Sequence, residues 1–158
     1  MRPFNVIALD FITQLPKANG YNAILTIMDQ GCSRAAVFLP CHMMITGEGV
    51  ALLYLKHLFL WFGVPSKVIS NHDPRFMSHF AQALTTKLSI GRNISTAFHP
   101  QTDRLTEQKN QWVKQYICLY ISARQDNWEA WLPIATFIHN QWPNTTTKHS
   151  PHKILLGY

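Results

Sequence analysis

The order of short apolar runs along this chain is the feature that limits its fold most. Val6 to Ile12 and Ala23 to Met28 are β-branched, strand-like runs with Gly20-Tyr21-Asn22 as the turn before the second, and a third run, Ala35 to Leu39, ends at Pro40. Short links between three such runs predict an antiparallel meander. From Thr46 the pattern changes. Thr46 is a side-chain N-cap with Glu48 in the first turn, apolar residues follow on most faces to Phe62, and Gly63 and Pro65 stop the helix. After it come a short buried strand at Val68-Ile69-Ser70, a polar turn, a helix over roughly Ser78 to Leu88 and a fifth strand over Ile94 to Ala97. A long helical pattern runs from about Leu105 to Ala123, and another helix from about Asn127 to Asn140, where Pro133 implies a kink or a late start. Ser150-Pro151 opens a terminal turn of helix. The order β-β-β-α-β-α-β-α-α predicts an α/β fold, a mixed five-stranded sheet with helices on both faces.

Length and charge narrow the partners. With 158 residues, 47% of them apolar, the chain suits one core and is short for two, so residues 1–158 are expected to form a single domain. Fourteen Lys and Arg against eight Asp and Glu leave +6, which favours a polyanion such as nucleic acid. Charged residues are only 14% of the chain, against about 25% in typical soluble domains, so part of the surface is expected to be covered by a partner or a flanking domain. Cys32, Cys41 and Cys118 form no close pair, which argues against a disulfide framework or a Cys-based zinc site. The longest apolar stretch, Val50 to Val64, is broken by Lys56 and His57 and is shorter than the ~20 residues a membrane span needs, so no membrane role is expected. The first residues lack the apolar segment of a secretory signal, which predicts an intracellular protein whose two N-x-S/T sequons, at Asn93 and Asn144, stay unmodified.

Among so few acidic residues, placement is informative. Asp10 lies inside the first strand pattern, flanked by residues that should be buried, and a lone carboxylate there is costly unless paired or coordinated. Taken alone, it reads as a strand Asp satisfied by backbone or a lysine. Glu107 opens the long helix and, taken alone, reads as a first-turn Glu favoured by the helix dipole. Together, with a third acidic group at a neighbouring strand end, such residues can hold two Mg²⁺ ions about 3.5–4 Å apart and activate a water or a 3′-hydroxyl against a phosphodiester.

Six segments carry a resemblance. They are Leu9-Asp10-Phe11-Ile12, Asp29-Gln30-Gly31-Cys32-Ser33, the run from Val68 to Phe76, Ser95-Thr96-Ala97-Phe98-His99-Pro100-Gln101-Thr102-Asp103, Thr106-Glu107-Gln108-Lys109-Asn110-Gln111, and Ser150-Pro151. In this order they resemble the integrase catalytic core of gypsy-type long-terminal-repeat retrotransposons, particularly fungal ones. The resemblance implies a ribonuclease-H-like fold, a nuclear location, and Mg²⁺- or Mn²⁺-dependent 3′-processing and strand transfer on DNA ends and target. It also implies a homodimer through core helices and flanking polyprotein domains outside this chain, with neither the zinc-binding N-terminal domain nor a C-terminal DNA-binding or chromo domain within residues 1–158.

The family's Asp, Asp, Glu triad maps onto Asp10, Asn71 and Glu107. Thirty-five residues, 72 to 106, separate the second position from Glu107, and Asn71 stands where the family usually has Asp. Asp10 and Glu107 therefore remain as the metal ligands this resemblance implies. An amide offers one neutral oxygen in place of two charged ones, so the resemblance implies an impaired copy. Asp73, two residues on, would sit about 6.6 Å from position 71 along an extended strand, too far for a Mg²⁺ site with ligands at about 2.0–2.1 Å. Two further departures point the same way: Asp103-Arg104 replaces the usual Asp-Gly, and Gln108 replaces an Arg.

On the Glu107 helix, Asn110, Gln111 and Lys114 fall on the same polar face, and Lys109, Asn110 and Lys114 are the candidate nucleic-acid contacts, with a solvated face as the alternative. His99 reads as a structural hydrogen-bonder. Trp112, Trp128, Trp131 and Trp142 read as core or oligomer contacts ahead of base-stacking platforms. The helix from Thr46 to Phe62 carries more apolar residues than one face can bury, which suggests a homodimer surface. The alternative to an enzyme is a non-enzymatic nucleic-acid-binding or oligomerisation module derived from the same fold.

Overall fold

The structure is a computed structural model that describes residues 2–70, 72–89, 91, 94–98, 111–112, 115 and 127–157. Strand β1 (Val6–Ile12) is central, with β2 (Ala23–Asp29) antiparallel on one side and β4 (Lys67–Ser70) parallel on the other. β3 (Ala36–Cys41) extends the antiparallel side and β5 (Ser95–Phe98) the parallel side, so the sheet order is β3-β2-β1-β4-β5. This is the mixed five-stranded sheet that the element order predicts. One boundary differs. Pro40 does not end the third strand but lies inside it, a position a proline tolerates because β3 is an edge strand and loses no ladder hydrogen bond there.

Strand alternation sends Ile7, Leu9, Leu25, Ile27, Leu39 and Val68 to one face and Ile12, Ile24, Ala36 and Phe38 to the other. The first face is covered by α1 (Gly47–Tyr54), which runs on through a π-helical turn (Leu55–Phe59) into α2 (Leu60–Phe62), and by α3 (Pro74–Lys87). The second face is covered by α4 (Leu132–Gln141), and α5 (Pro151–Leu156) follows it. Helices therefore do lie on both faces.

The ends of these helices follow from local chemistry. Thr46 caps α1 by accepting from the Gly49 amide at 3.1 Å. A Cβ on Gly47 would lie 2.5 Å from the Phe76 carbonyl oxygen, so α1 and α3 approach at a distance that needs glycine. At the far end Gly63 turns the chain with φ 71°, while the Arg2 guanidinium donates to the carbonyls of Phe62 and Val64. α3 begins at Pro74, four residues before the Ser78 start expected from the sequence, because Asp73 is a side-chain cap and Pro74 suits the first turn. Pro133 gives the late start rather than a kink: a 3₁₀ turn (Trp128–Trp131) leads into α4 with the proline in its first turn. Trp128 is fully buried and its indole N–H donates to the Pro16 carbonyl at 2.6 Å, which fastens the β1–β2 loop under α4. The long pattern over 105–123 lies largely outside the described residues, of which Gln111, Trp112 and Gln115 are helical. Cys32 and Cys41 are free thiols, and Cys118 lies outside the described residues.

An edge strand presents unpaired backbone groups that invite another strand. In β3 the outward-facing amides belong to Ala36, Phe38 and residue 40, because Asp29 donates to Ala35 and the odd positions pair with β2. Each is accounted for. Asn140 accepts from the Ala36 amide at 3.0 Å and donates to its carbonyl at 2.9 Å, Thr136 accepts from the Phe38 amide at 3.2 Å, and Pro40 has no N–H. Thr136 and Asn140, one helical turn apart on α4, thus close the edge as a partner strand would.

Two predictions follow from this packing. Asn140→Leu leaves one amide and one carbonyl stranded, at about 1–3 kcal/mol each, so urea denaturation should show a loss of roughly 2–6 kcal/mol, with Thr136→Val losing less. A loss below about 0.5 kcal/mol for Asn140→Leu would contradict the edge closure. Separately, burial pushes the Cys41 thiol up to about 11, and burial also raises the Tyr54 phenol, opposed by Arg2. For a folded-state pKa raised in this way, stability is fully present below the unfolded value and is lost as pH rises through the folded one. Tm should therefore hold steady up to pH 9.0, the thiol's ordinary value, and fall towards about 11, with Cys41→Ala flattening that fall.

Candidate functional site

The parallel strands β4 and β5 end together beside the middle of β1. Leu9 of β1 pairs with Ser70 of β4, and Ser70 pairs with Phe98 of β5, so Asp10 lies at the carboxyl-terminal end of the sheet one residue beyond that row. In open α/β sheets this is the end where ligands bind. Asn71 directly follows Ser70 in the chain. Asn71 itself, His99, Asp103, Arg104, Glu107, Gln108, Lys109, Asn110 and Lys114 lie outside the described residues. Of the sequence-derived triad, Asp10 is the member the structure describes.

Asp10 is half-buried, and one carboxylate oxygen accepts from the Phe11 amide at 2.8 Å. Its Cα partner on β2 is Thr26, whose partner on β3 is Phe38, and this row lies on the face that α4 covers. The Phe38 ring stacks on Trp112 with centroids 6.4 Å apart, and Trp112 makes an edge contact with His139 at 5.3 Å. Trp112 comes five residues after Glu107 in the chain. The helical residue Trp112 therefore packs on the face that bears Asp10. Trp112 and Trp131 pack against the buried cluster around Trp128, as core tryptophans do, whereas Trp142 is 66% exposed.

The loop into α3 is tied by a chain of short contacts. Ser70 Oγ accepts from the His72 amide at 3.0 Å, His72 Nδ1 accepts from the Asp73 amide at 3.0 Å, and the Asp73 carboxylate accepts from the Arg75 amide at 2.6 Å. Asp73 is thus engaged as the cap of α3. Sequence reasoning missed the ring cluster beside it. His72 lies 4.1 Å from Phe76 and 5.5 Å from Phe11 between centroids, so the residue after Asp10 and the residue after Asn71 are packed together. His72 and Phe76 share an i, i+4 spacing, but no local pattern connects either of them to Phe11. Among the described residues, no group of three or more His, Cys, Asp or Glu gathers as a metal site.

No family model matches the chain. Over 157 residues, 99% of its length, it is 29% identical to the Tf2-3 transposon polyprotein of Schizosaccharomyces pombe, and the Tf2-4 polyprotein of that organism matches equally. The chain spans 12% of the length of these polyproteins. The HTLV-2 integrase catalytic core domain, solved in complex with magnesium, superposes with a TM-score of 0.69 at 18% identity over 98% of both chains. A chain of the simian T-cell lymphotropic virus intasome bound to the PP2A regulatory subunit B56 gamma gives 0.72 at 18% identity, over 98% of this chain and 55% of its own. The BIV integrase catalytic core gives 0.66 at 18% identity, over 98% and 95%.

The chain is homologous to a segment of the Tf2 transposon polyproteins and has the ribonuclease-H-like fold of integrase catalytic cores. Within this fold, the cap at Asp73 has a measurable consequence. Asp73→Ala should cost about 0.5–2 kcal/mol in chemical denaturation and Asp73→Asn only a few tenths, because Asn caps a helix as well as Asp does. Equal losses for the two variants would rule out the capping role.

Proposed function

We propose that this chain is the catalytic core of a gypsy-type retrotransposon integrase, acting on DNA in the nucleus, with Asp10 and Glu107 as ligands for Mg²⁺ or Mn²⁺ and Asn71 in the place of the second carboxylate. The observation that carries this reading is the position of Asp10 on the central strand, one residue past the Leu9–Ser70 pair, with Asn71 next in the chain after Ser70. The donor set suits a hard divalent cation, since carboxylate and amide oxygens are its preferred ligands. When bound, a pair of such ions polarises a phosphodiester and sharpens a water or a 3′-hydroxyl as nucleophile.

The chain's own residues set the limits of that chemistry. The Phe11 amide holds the Asp10 carboxylate on the strand, and Glu107 supplies a second negative charge from the long helix. Asn71 contributes a neutral carbonyl oxygen, so the site carries one negative charge fewer than the family pattern. A defect of roughly 4 kcal/mol, about a thousandfold in rate, is the magnitude such a loss implies. Arg104 and Gln108 add to the impairment by replacing a mobile glycine and a phosphate-binding arginine. Lys109, Asn110 and Lys114 contact DNA phosphates along the same helix. Residues 1–158 form one core domain, part of whose apolar surface is covered by a partner or another domain. The homodimer forms through α1 and α2, where Leu52 is 52% exposed and Leu60 and Trp61 are each 79% exposed.

A second reading, a non-enzymatic nucleic-acid-binding or oligomerisation module, is favoured by one residue, Asn71. Calorimetric titration with Mn²⁺ and a strand-transfer assay on labelled DNA ends separate the two. Asn71→Asp should raise strand transfer by about a thousandfold over the parent, and Asp10→Asn in that background should abolish both turnover and metal binding. A parent as active as Asn71→Asp would overturn the impairment. DNA binding without metal binding in either protein would establish the non-enzymatic module.

A further inference from the structure

The segment in which α4 passes into α5 carries no Asp or Glu of its own. No Asp or Glu follows Glu129 in the chain, whereas Lys148, His149, His152 and Lys153 fall within six residues. This corner is also rigidly built. Between Pro143 and Ser150 the Asn144 amide donates to the His149 carbonyl at 3.0 Å, the Lys148 amide donates to the Asn144 carbonyl at 2.8 Å, and the Thr146 amide donates to the Asn144 side chain at 2.8 Å. The Thr147 hydroxyl donates to the His149 carbonyl at 2.9 Å. Lys148 is held in the left-handed region at φ 63°, which a non-glycine residue adopts only when its surroundings impose it. Gln141 meets His152 Nδ1 at 2.6 Å, and the Phe137 and His152 rings lie 5.3 Å apart, so the loop is fastened between two packed helices.

Lys148, His149 and Lys153 are exposed, and neither lysine forms an ion pair with a described residue. Cations displayed on a pre-ordered loop bind without first losing the conformational freedom of a flexible one. The exposed hydroxyls of Thr145 and Thr146 add neutral donors of the kind that contact phosphate oxygens. We propose that this corner is a second DNA-contact surface, in which Lys148 and Lys153 bind backbone phosphates of a duplex independently of its sequence. The proposal rests on the reading of the chain as a DNA-acting core and adds to it a surface on an element separate from the Glu107 helix.

Anisotropy of a short labelled duplex, titrated at several NaCl concentrations, tests it. The Lys148→Gln/Lys153→Gln variant should lower the magnitude of the log K against log salt slope by roughly 1–2, since each phosphate contact contributes about 0.9, and should weaken unrelated sequences equally. Lys148→Gly, which suits the left-handed backbone, should lower it by about 1. Lys87→Gln, at a lysine that lies 4.0 Å from Glu48, should leave it unchanged. Parent-like slopes in both loop variants would overturn this surface while leaving the integrase-core reading intact. A parent that binds no duplex would overturn both. Lysine-dependent binding of poly-glutamate with no change in the DNA slope would assign the corner to an acidic protein and end the proposal.

Discussion

The burial of β1 on both faces is the constraint from which the rest of the site follows. Leu9 and Ile12 are 3% and 2% exposed on opposite faces of the sheet, and a one-residue slip in register would exchange those faces. The strand is therefore fixed against β2 and β4, and Asp10 is fixed with it. A carboxylate among such neighbours loses hydration that only hydrogen bonds or a cation can replace. The Phe11 amide supplies one such bond. The same register that buries the core thus presents a charged group on the central strand just past the ends of β4 and β5.

Phe38 links this centre to the outer parts of the fold. Its backbone amide is held by Thr136 of α4, and its ring stacks on Trp112 of the long helix. Asn140 holds Ala36, two residues earlier, through both amide and carbonyl. One helix therefore closes the exposed edge of the sheet and shares with Phe38 the surface against which Trp112 packs. Thr26, fully buried between Asp10 and Phe38 in the strand register, completes a continuous row from the edge to the centre. Loosening α4 would be felt at the site through these side chains, without any direct contact between α4 and Asp10 being needed.

How much was legible in the sequence depends on the range of each interaction. The strands, the Thr46 cap, the Gly63 stop and the Pro133 delay are local signals, and each appears in the structure within a few residues of its predicted place. The α3 start differs because the polar run before Ser78 reads as a turn, whereas Asp73 caps the helix and Pro74 opens it. Pro40 was read as a stop because its place at the sheet edge is a property of strand order, which a local run does not contain. The bidentate hold of Asn140 on Ala36 joins residues 104 positions apart, and no local pattern announces it. At the site, the order of motifs pointed to Asp10, Asn71 and Glu107 through family resemblance, whereas the ring cluster of Phe11, His72 and Phe76 arises only from folding.

An amide at position 71 is also intelligible as a matter of stability. In the arrangement proposed for the site, carboxylates gathered without a cation repel one another and raise the free energy of the folded chain. Exchanging one of them for an amide removes that repulsion and leaves a neutral group of nearly the same shape. Active sites commonly sacrifice stability for chemistry, so a change that relaxes the site can leave the fold intact or firmer. The described contacts fit that expectation: the Ser70–His72–Asp73–Arg75 chain closes the loop with backbone donors and needs no charge at position 71. The described contacts that join β1, β4 and α3, from the strand pairs to the Asp73 cap, thus do not depend on a charge at position 71.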